Sequence, residues 1–316
     1  MSTIEHYHII INEFSGSGSG KKISKQIIEM LKDKHFSFQL HKSTYPGHAI
    51  ELARSLAQEI DQTPSLAQLI IAIGGDGTLN EVLTGLGEQY AHIPIGYIPS
   101  GSGNDFARGT GISKDPKKAL NQILTVQHPK KLDIIQYCDY RQQRKGFAVN
   151  NVGVGFDAAV VKKANHSLSK AFLNKIGLNS LVYLAWFIQV FFKQASFPLT
   201  ITVDEKTETF DDAFLVIVNN HPYFGGGIPV SPKASQLDGQ LDLIVLPKLS
   251  FLKLLQLFAL LAFGGKHLTH KGVYYYQSHS ISLKTTQTID SHADGEDLVE
   301  QPIDFQLKTS SRYFWL

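Results

Sequence analysis

The sequence predicts an α/β plus β protein: an N-terminal doubly wound α/β domain, then a mostly antiparallel β-sandwich domain with helical inserts. Three observations carry this. Strand-like and helix-like segments alternate through the first third. Leu69–Ile73 is a short, wholly apolar run, the pattern of a parallel strand covered on both faces. After about Leu132 the texture changes to short segments rich in β-branched and aromatic residues, bounded by Gly, Pro, Asn or Asp. A βαβα order implies a parallel sheet with right-handed crossovers.

In order along the chain, His8–Asn12 reads as a strand and Glu13–Gly20 as a loop. Lys21–Lys34 has helical apolar spacing at Ile23, Ile27, Ile28 and Leu31. Phe36–His41 is a strand, and Gly47–Glu59 a helix announced by Pro46 and Gly47. Leu69–Ile73 is a strand, Leu79–Gly85 begins a helix, and Ile93–Ile98 is a strand. Beyond residue 132, strands are expected at Asp133–Tyr140, Arg144–Val149, Leu199–Val203, Thr207–Asn219, Gln240–Leu246, Val273–Tyr276, Ser280–Lys284 and Ile303–Leu307. Helical inserts are expected near 171–193 and 249–264. The α/β domain is placed at 1–132, completed by a segment at about 300–316, and the β-rich domain at 133–299.

The balance of 30 basic and 28 acidic side chains leaves no bulk field to attract nucleic acid. The single cysteine, Cys138, cannot form an internal disulfide, which fits a reducing cytoplasm. No signal peptide is evident at Met1–His6. The apolar runs Leu181–Phe192 and Leu249–Phe263 are short of the about 20 residues a spanning helix needs. They read as core helices, or as elements that rest on a membrane surface or hold an acyl chain.

The strongest local signal is Gly74-Gly75-Asp76-Gly77-Thr78-Leu79-Asn80-Glu81, directly after the buried strand. Three glycines let a backbone pass close to a bulky anion. Successive N–H groups and the following helix N-terminus offer donors to phosphate. The turn also sits at the carboxyl end of a parallel strand, where α/β sheets bind ligands. Asp76 in such a cradle calls for a cation, and Mg²⁺ would resolve the conflict. The bland alternative is an ordinary strand-to-helix turn with Asp76 near a cap.

Pro99-Ser100-Gly101-Ser102-Gly103-Asn104-Asp105-Phe106-Ala107-Arg108 follows the next strand. Ser102 could bond a phosphate or ribose oxygen, Asn104 and Asp105 could orient water or metal, and Arg108 could face phosphate or solvent. Asn12-Glu13-Phe14-Ser15-Gly16-Ser17-Gly18 would lie at the same sheet edge. None of these loops is a Walker A sequence, and the dinucleotide-binding fingerprint is weak.

These residues resemble a known family. Gly74–Thr78 with Asn80-Glu81 looks like the nucleotide-binding signature of diacylglycerol kinase catalytic domains. Pro99–Arg108 is similar to the lipid kinases rather than to NAD kinases or phosphofructokinases, and the resemblance spans nearly the whole chain. Ser43-Thr44-Tyr45-Pro46-Gly47-His48-Ala49 resembles a segment in which a hydroxyl contacts the nucleotide, leaving Ser43 and Thr44 both open. Asn151–Asp157 resembles a segment of the second domain, and from its own residues it reads as a Gly-rich turn between strand and helix. In Asp290-Ser291-His292-Ala293-Asp294-Gly295-Glu296, the resemblance implies that Glu296 is the general base. By itself, Asp294-Gly295 is a turn signal. Ser235–Asp242 looks like the family's structural Mg²⁺ segment, with Asp238 supplying a carboxylate and Ser235 and Gln240 supplying carbonyls. A plain Asp-Gly hairpin is the alternative there. His221, His267, His270 and His292 form no spaced ligand motif and read as hydrogen-bonding or surface residues.

The resemblance therefore implies an ATP-dependent lipid kinase, with diacylglycerol the leading acceptor and ATP and Mg²⁺ required. Asn12, Ser43 or Thr44, Gly74, Gly75, Asp76, Gly77, Thr78, Asn80, Ser102, Asn104 and Asp105 would hold the nucleotide, and Asp76 and Glu296 would act in catalysis. The lipid head would enter between the domains, with the protein on the membrane's cytoplasmic surface. A sphingoid base, phosphatidylglycerol or NAD is the alternative acceptor, and a non-catalytic nucleotide sensor the alternative class. A homodimer stays open.

Overall fold

The computed structural model describes residues 4–165, 179–262, 265–298 and 300–316. They divide into two compact units: residues 1–133, 225–227 and 311–316 in one, and residues 134–224 and 228–310 in the other.

The first unit is built on parallel strands β1 (His6–Ile11), β2 (Ser37–Lys42), β3 (Gln68–Gly74) and β4 (Ile95–Pro99), in the order β2-β1-β3-β4. Leu69, Ile70, Ile71, Ala72 and Ile73 of β3 are all fully buried. Removing such a run from water on both faces is the main reason a central parallel strand holds. Helices α1 (Ser15–Asp33), α2 (His48–Gln62), α3 (Asp76–Leu86), α4 (Asp105–Thr110) and α5 (Pro116–Thr125) connect and cover the strands. The chain's last residues add to this unit: Phe314 pairs with Ile95, and the Trp315 indole N–H donates to the Ile123 carbonyl at 2.9 Å.

Two local readings change here. The expected loop over Glu13–Gly20 is largely helix, because α1 starts at Ser15. Small residues permit this. A Cβ on Gly16 would lie 2.1 Å from the Ser100 carbonyl oxygen, and one on Gly20 would lie 2.4 Å from that of Asn12. Helices α4 and α5 were not anticipated, although Asp115 caps α5 by accepting from the N–H groups of Lys117 and Lys118.

The second unit is antiparallel. Its strands are β5 (Lys130–Asp139), β6 (Arg144–Ala148), β7 (Asn151–Gly155), β8 (Phe197–Val203), β9 (Lys206–Asn219), β10 (Leu241–Pro247), β11 (Tyr274–Ser278), β12 (Ser280–Lys284), β13 (Ser291–Ala293), β14 (Glu296–Asp297) and β15 (Asp304–Phe314). The first of these begins and the last ends in the first unit. The 14-residue β9 organises the layers: its first half pairs with β8 and its second half lies between β7 and β10. Val152, Val154, Leu199, Ile201, Val216, Val218, Leu243, Val245, Leu283 and Phe305 share one core.

Asn151–Asp157, read as a turn, is instead strand β7 running into helix α6 (Phe156–Asn165). Helices α7 (Asn179–Lys193) and α8 (Phe251–Ala262) form a second apolar cluster with α6, through Phe156, Phe191, Phe214, Leu254 and Leu257. Residues 171–178 of the first expected insert lie outside the described residues.

Candidate active site

In the first unit, the loops after β1, β3 and β4 meet at the carboxyl edge of the parallel sheet. The order β2-β1-β3-β4 reverses direction between β1 and β3, and α/β sheets open a crevice at such a switch point. The Asn12 side-chain amide spans it, donating to the Thr78 hydroxyl at 3.2 Å. The side-chain oxygen of Asn12, Oδ1, accepts the Phe14 N–H, so Asn12 fixes its own loop as well.

The β3 and β4 turns touch through backbone. A Cβ on Gly101 would lie 2.6 Å from the Gly75 Cα, and Ser100 donates its N–H to the Gly74 carbonyl at 2.7 Å. Gly74 is needed for a second reason: a Cβ there would lie 2.3 Å from the Thr78 side chain. The glycines thus serve close packing of two turns and leave helix α3 opening directly behind them. Its first turn holds Asp76, Gly77 and Thr78, and its N-terminus carries donors and positive dipole.

Asp76 is engaged with backbone. Its Oδ2 accepts the N–H of Asp105 at 3.0 Å and its Oδ1 that of Phe106 at 3.4 Å. One carboxylate in the first turn of α3 therefore bonds the backbone at the start of α4. Tyr97 lies buried beside it and donates to the Gly74 carbonyl at 3.2 Å. Burial, then the charge of Asp76, pushes the Tyr97 phenol well above its ordinary pKa, so it stays a neutral donor.

Asn104 adopts a left-handed conformation with φ 51° and closes its own loop on Gly101, accepting from the N–H and donating to the carbonyl. Asp105 ion-pairs with Arg108 through Oδ1 and accepts the Gly226 N–H through Oδ2 at 2.8 Å. Ser102 is exposed at the loop tip. Asn80 accepts from the Thr84 hydroxyl at 3.4 Å, one turn along α3.

The neighbouring segment supplies both hydroxyl candidates in different settings. Ser43 is buried and its N–H donates to the Ile11 carbonyl. Thr44 is exposed, its hydroxyl 3.0 Å from His48 Nδ1, beside the stacked rings of Tyr45 and His48. Glu81 reaches back to accept the N–H groups of Gly47 and Ala49, at 2.9 and 3.2 Å, which anchors the start of α2 to α3.

In the second unit, Asp294-Gly295 forms a two-residue hairpin turn between Ala293 and Glu296, with φ 52° and 85°. Positive φ at both positions is the type I′ geometry that matches strand twist. Asp294 then anchors the hairpin: its carboxylate accepts N–H bonds from Val149 and Asn150 at 2.7 Å and from Asn151 at 3.1 Å. Gly295 donates its N–H to His292 Nδ1 at 3.2 Å, so the His292 proton sits on Nε2 and faces Asp157 Oδ2 at 3.0 Å. Asn165 ties down the other side through the Gly295 carbonyl and Asp297. Glu296 emerges exposed from this rigid support. The same logic holds for His221, which accepts the Tyr223 N–H on Nδ1 and donates from Nε2 to Asn150 at 2.5 Å.

The Ser235–Asp242 segment is a tight loop. Asp238 Oδ1 accepts the Gln240 N–H at 3.0 Å, and the Ser235 hydroxyl accepts the Leu237 N–H at 3.2 Å. Asp242 is fully buried at the start of β10, and its Oδ2 has no hydrogen-bond partner. Burial pushes its carboxyl up to about 6. The carboxylate and carbonyl oxygens of this loop, with an orphaned buried oxygen beside it, suit a hard, hydrated cation, although no group of three or more His, Cys, Asp or Glu side chains among the described residues is placed to hold a metal ion.

Two features escaped the sequence reading. Gly225-Gly226-Gly227 all have positive φ, and a Cβ on Gly227 would lie 2.6 Å from the Arg108 guanidinium. The uninterrupted triplet was the available signal. The three N–H bonds to Asp294 had no local signal at all.

Residues 6–137 match the family described as diacylglycerol kinase catalytic domain, and residues 150–311 match the YegS C-terminal NAD kinase beta sandwich-like domain. A Bacillus subtilis (strain 168) protein named "Putative lipid kinase YtlR" is 33% identical over 313 residues, covering 97% of each chain. A Staphylococcus epidermidis protein named "Putative lipid kinase SERP0390" is 26% identical, covering 96% of this chain and 93% of that one. A crystal structure described as that of "a putative diacylglycerol kinase from Bacillus anthracis str. Sterne" superposes with a TM-score of 0.74 at 22% identity, covering 99% of this chain and 98% of that one. The fold is therefore a mixed α/β domain joined to a β-sandwich-like domain.

Proposed function

Because this chain belongs to the diacylglycerol kinase/YegS lipid kinase family, we propose that it transfers the γ-phosphoryl group of ATP to a lipid hydroxyl, with diacylglycerol as acceptor. The observation that carries the reading is the convergence of the β1, β3 and β4 loops at the sheet's switch point, with the α3 N-terminus behind them. That edge suits a polyanion.

The first unit is the nucleotide-binding domain in this reading. Gly74, Gly75, Gly77 and Thr78 lie along the phosphates, and Asn12, Ser43 or Thr44, Asn80, Ser102, Asn104 and Asp105 surround the nucleotide. Asp76 keeps the turns in register and would hold the nucleotide's Mg²⁺, directly or through water. Held there, Mg²⁺ would supply positive charge to offset that developing on the transferring phosphoryl group. Asp238, with the carbonyls of Ser235 and Gln240, would hold a second, structural Mg²⁺. Supporting this is the orphaned buried oxygen of Asp242 beside that loop.

The second unit is the lipid-acceptor domain and supplies the base. Glu296 accepts the proton from the lipid hydroxyl as its oxygen bonds the γ-phosphorus and the bond to the β-phosphate oxygen breaks, releasing ADP. The rigid hairpin around Asp294 supports this role, since a base must be held to within a fraction of an ångström. The protein meets its substrate from the aqueous, cytoplasmic face. No described helix is long and apolar enough to cross a membrane.

The test is transfer of radiolabel from [γ-³²P]ATP to a panel of diacylglycerol, sphingosine, phosphatidylglycerol and NAD. Labelled phosphatidic acid is the expected product. Labelling of NAD alone sinks the lipid reading, and labelling of nothing favours a nucleotide sensor.

A further inference from the structure

We propose that His292 and Asp157 are positioning residues for the general base, their buried contact seating the β13–β14 hairpin on helix α6 in the setting that presents Glu296. The inference rests on the reading of Glu296 as that base. Helix α6 meets the hairpin along its length. Asp157, in its first turn, accepts the His292 Nε2–H at 3.0 Å. Lys162, further along, bonds Asp290 at 2.7 Å and Glu300 at 2.5 Å. Asn165, its last residue, donates to the Gly295 carbonyl at 2.9 Å and to Asp297 at 3.2 Å. These contacts differ in kind. Lys162 and Glu300 are 38% and 52% exposed, and ion pairs so open to water hold little. Asn165 is exposed too. His292 is fully buried and Asp157 nearly so, where a hydrogen bond is stronger and less screened.

The neighbouring strand is shaped to admit this pair. Gly153 of β7 lies opposite His292 in register, and a Cβ on it would come within 2.0 Å of Asp157 Oδ2 and 2.4 Å of His292 Nε2. Glycine inside a strand weakens it and marks a close approach, here by the two side chains. Phe224 lies against the His292 ring, with centroids 6.1 Å apart and planes 15° from parallel. Stability by itself does not account for the pair. Asp157 Oδ1 is buried with no hydrogen-bond partner, and a buried carboxylate with an unmatched oxygen costs free energy. What the pair supplies is a single setting. Asp157 holds the His292 proton on Nε2, which leaves Nδ1 to accept the Gly295 N–H at 3.2 Å, and Gly295 directly precedes Glu296. The opposite tautomer would turn a ring N–H against that backbone N–H. One imidazole thus links α6 to the backbone of the base.

Near-isosteric variants of the full chain test this. His292→Gln keeps a donor for Asp157 and loses the acceptor for Gly295. His292→Asn keeps the acceptor and loses the donor. Asp157→Asn sets an amide N–H against Nε2 and so moves the ring proton to Nδ1. Each is measured for amide exchange at Gly295, for melting temperature and for transfer from [γ-³²P]ATP to diacylglycerol, beside Glu296→Gln. Exchange at Gly295 is expected to be about tenfold faster or more in His292→Gln and Asp157→Asn. In both, kcat is expected to fall about 10- to 100-fold with the KM for ATP unchanged, and His292→Asn to recover part of each loss. If one of the two does not fold, the other carries the comparison. Wild-type exchange at Gly295 in these variants overturns the proposal. So does faster exchange with undiminished kcat, which leaves the pair a support of the fold alone. A Glu296→Gln variant as active as wild type removes the base reading instead, and faster Gly295 exchange in that case leaves the pair as the hairpin's clamp.

Discussion

The Asp76 carboxylate accepts the backbone N–H of Asp105 at 3.0 Å, so the turn after β3 and the helix after β4 are held by one side chain. A residue read from sequence as a cation holder or a cap thus bonds backbone across two turns.

Asp76→Asn should therefore lose both charge and one acceptor. The expected loss of stability is about 1–3 kcal/mol, since a buried N–H is left without its partner. Turnover should fall by about 10²-fold or more if the carboxylate also serves the transferring phosphate. Chemical denaturation and steady-state phosphoryl transfer, measured on the same preparation, separate the two effects. Turnover within threefold of wild type would remove Asp76 from catalysis and leave it a structural residue.

Glu296 is exposed at the end of a rigid hairpin, so its substitution should touch chemistry and not the fold. Glu296→Gln is expected to lower kcat by about 10²- to 10⁴-fold with its melting temperature unchanged. Unchanged kcat would eliminate it as the base.

Asp294 makes the opposite forecast. Three backbone N–H groups, of Val149, Asn150 and Asn151, depend on its carboxylate. Asp294→Ala should cost about 3 kcal/mol or more by leaving those donors unmatched, and should also displace Glu296. A shifted urea midpoint together with reduced kcat is the expected pair of readouts. A variant as stable as wild type would mean that water replaces the carboxylate at no cost.

His6, His8 and His41 lie together across β1 and β2, with ring centroids 4.7 Å apart for His6 and His8 and 5.7 Å apart for His8 and His41. Burial first, and repulsion from His8 second, lowers the pKa of both His6 and His41. The unfolded chain then binds protons more readily than the folded one. The stability these groups allow is present above about pH 6.5 and is lost as pH falls through their lower folded values. His41→Gln should lessen the drop in melting temperature between pH 7.5 and pH 5. An identical drop in both proteins would exclude His41 as a source of acid sensitivity.

Much of the first unit could be read directly. Ile23, Ile27, Ile28 and Leu31 repeat at helical spacing, and Leu69–Ile73 is apolar throughout, so helix and strand follow from local pattern. The Gly74–Thr78 and Pro99–Asp105 turns stand out for the same reason: glycine-rich breaks after apolar strands are visible without a neighbour. The start of α1 was misplaced because Ser15–Gly20 has poor helix propensity, and packing against Ser100 and Asn12 overrides it. Strand β7 was missed because Gly153 and Gly155 weaken its pattern, whereas pairing with β9 and β13 supplies its stability.

Amino-acid order alone determined the alternating first domain, the strand-rich second domain and the placement of the Gly-rich turns after β3 and β4. Tertiary structure decided what the polar side chains do. Asp76 bonds a residue 29 positions away, Asp105 one 121 positions away, and Asp294 one 145 positions away. Such bonds answer to whichever unsatisfied N–H group the packed chain brings near, and a buried donor must find some acceptor. Local periodicity records which face of an element is apolar. It holds no record of the distant donor that folding delivers to a carboxylate.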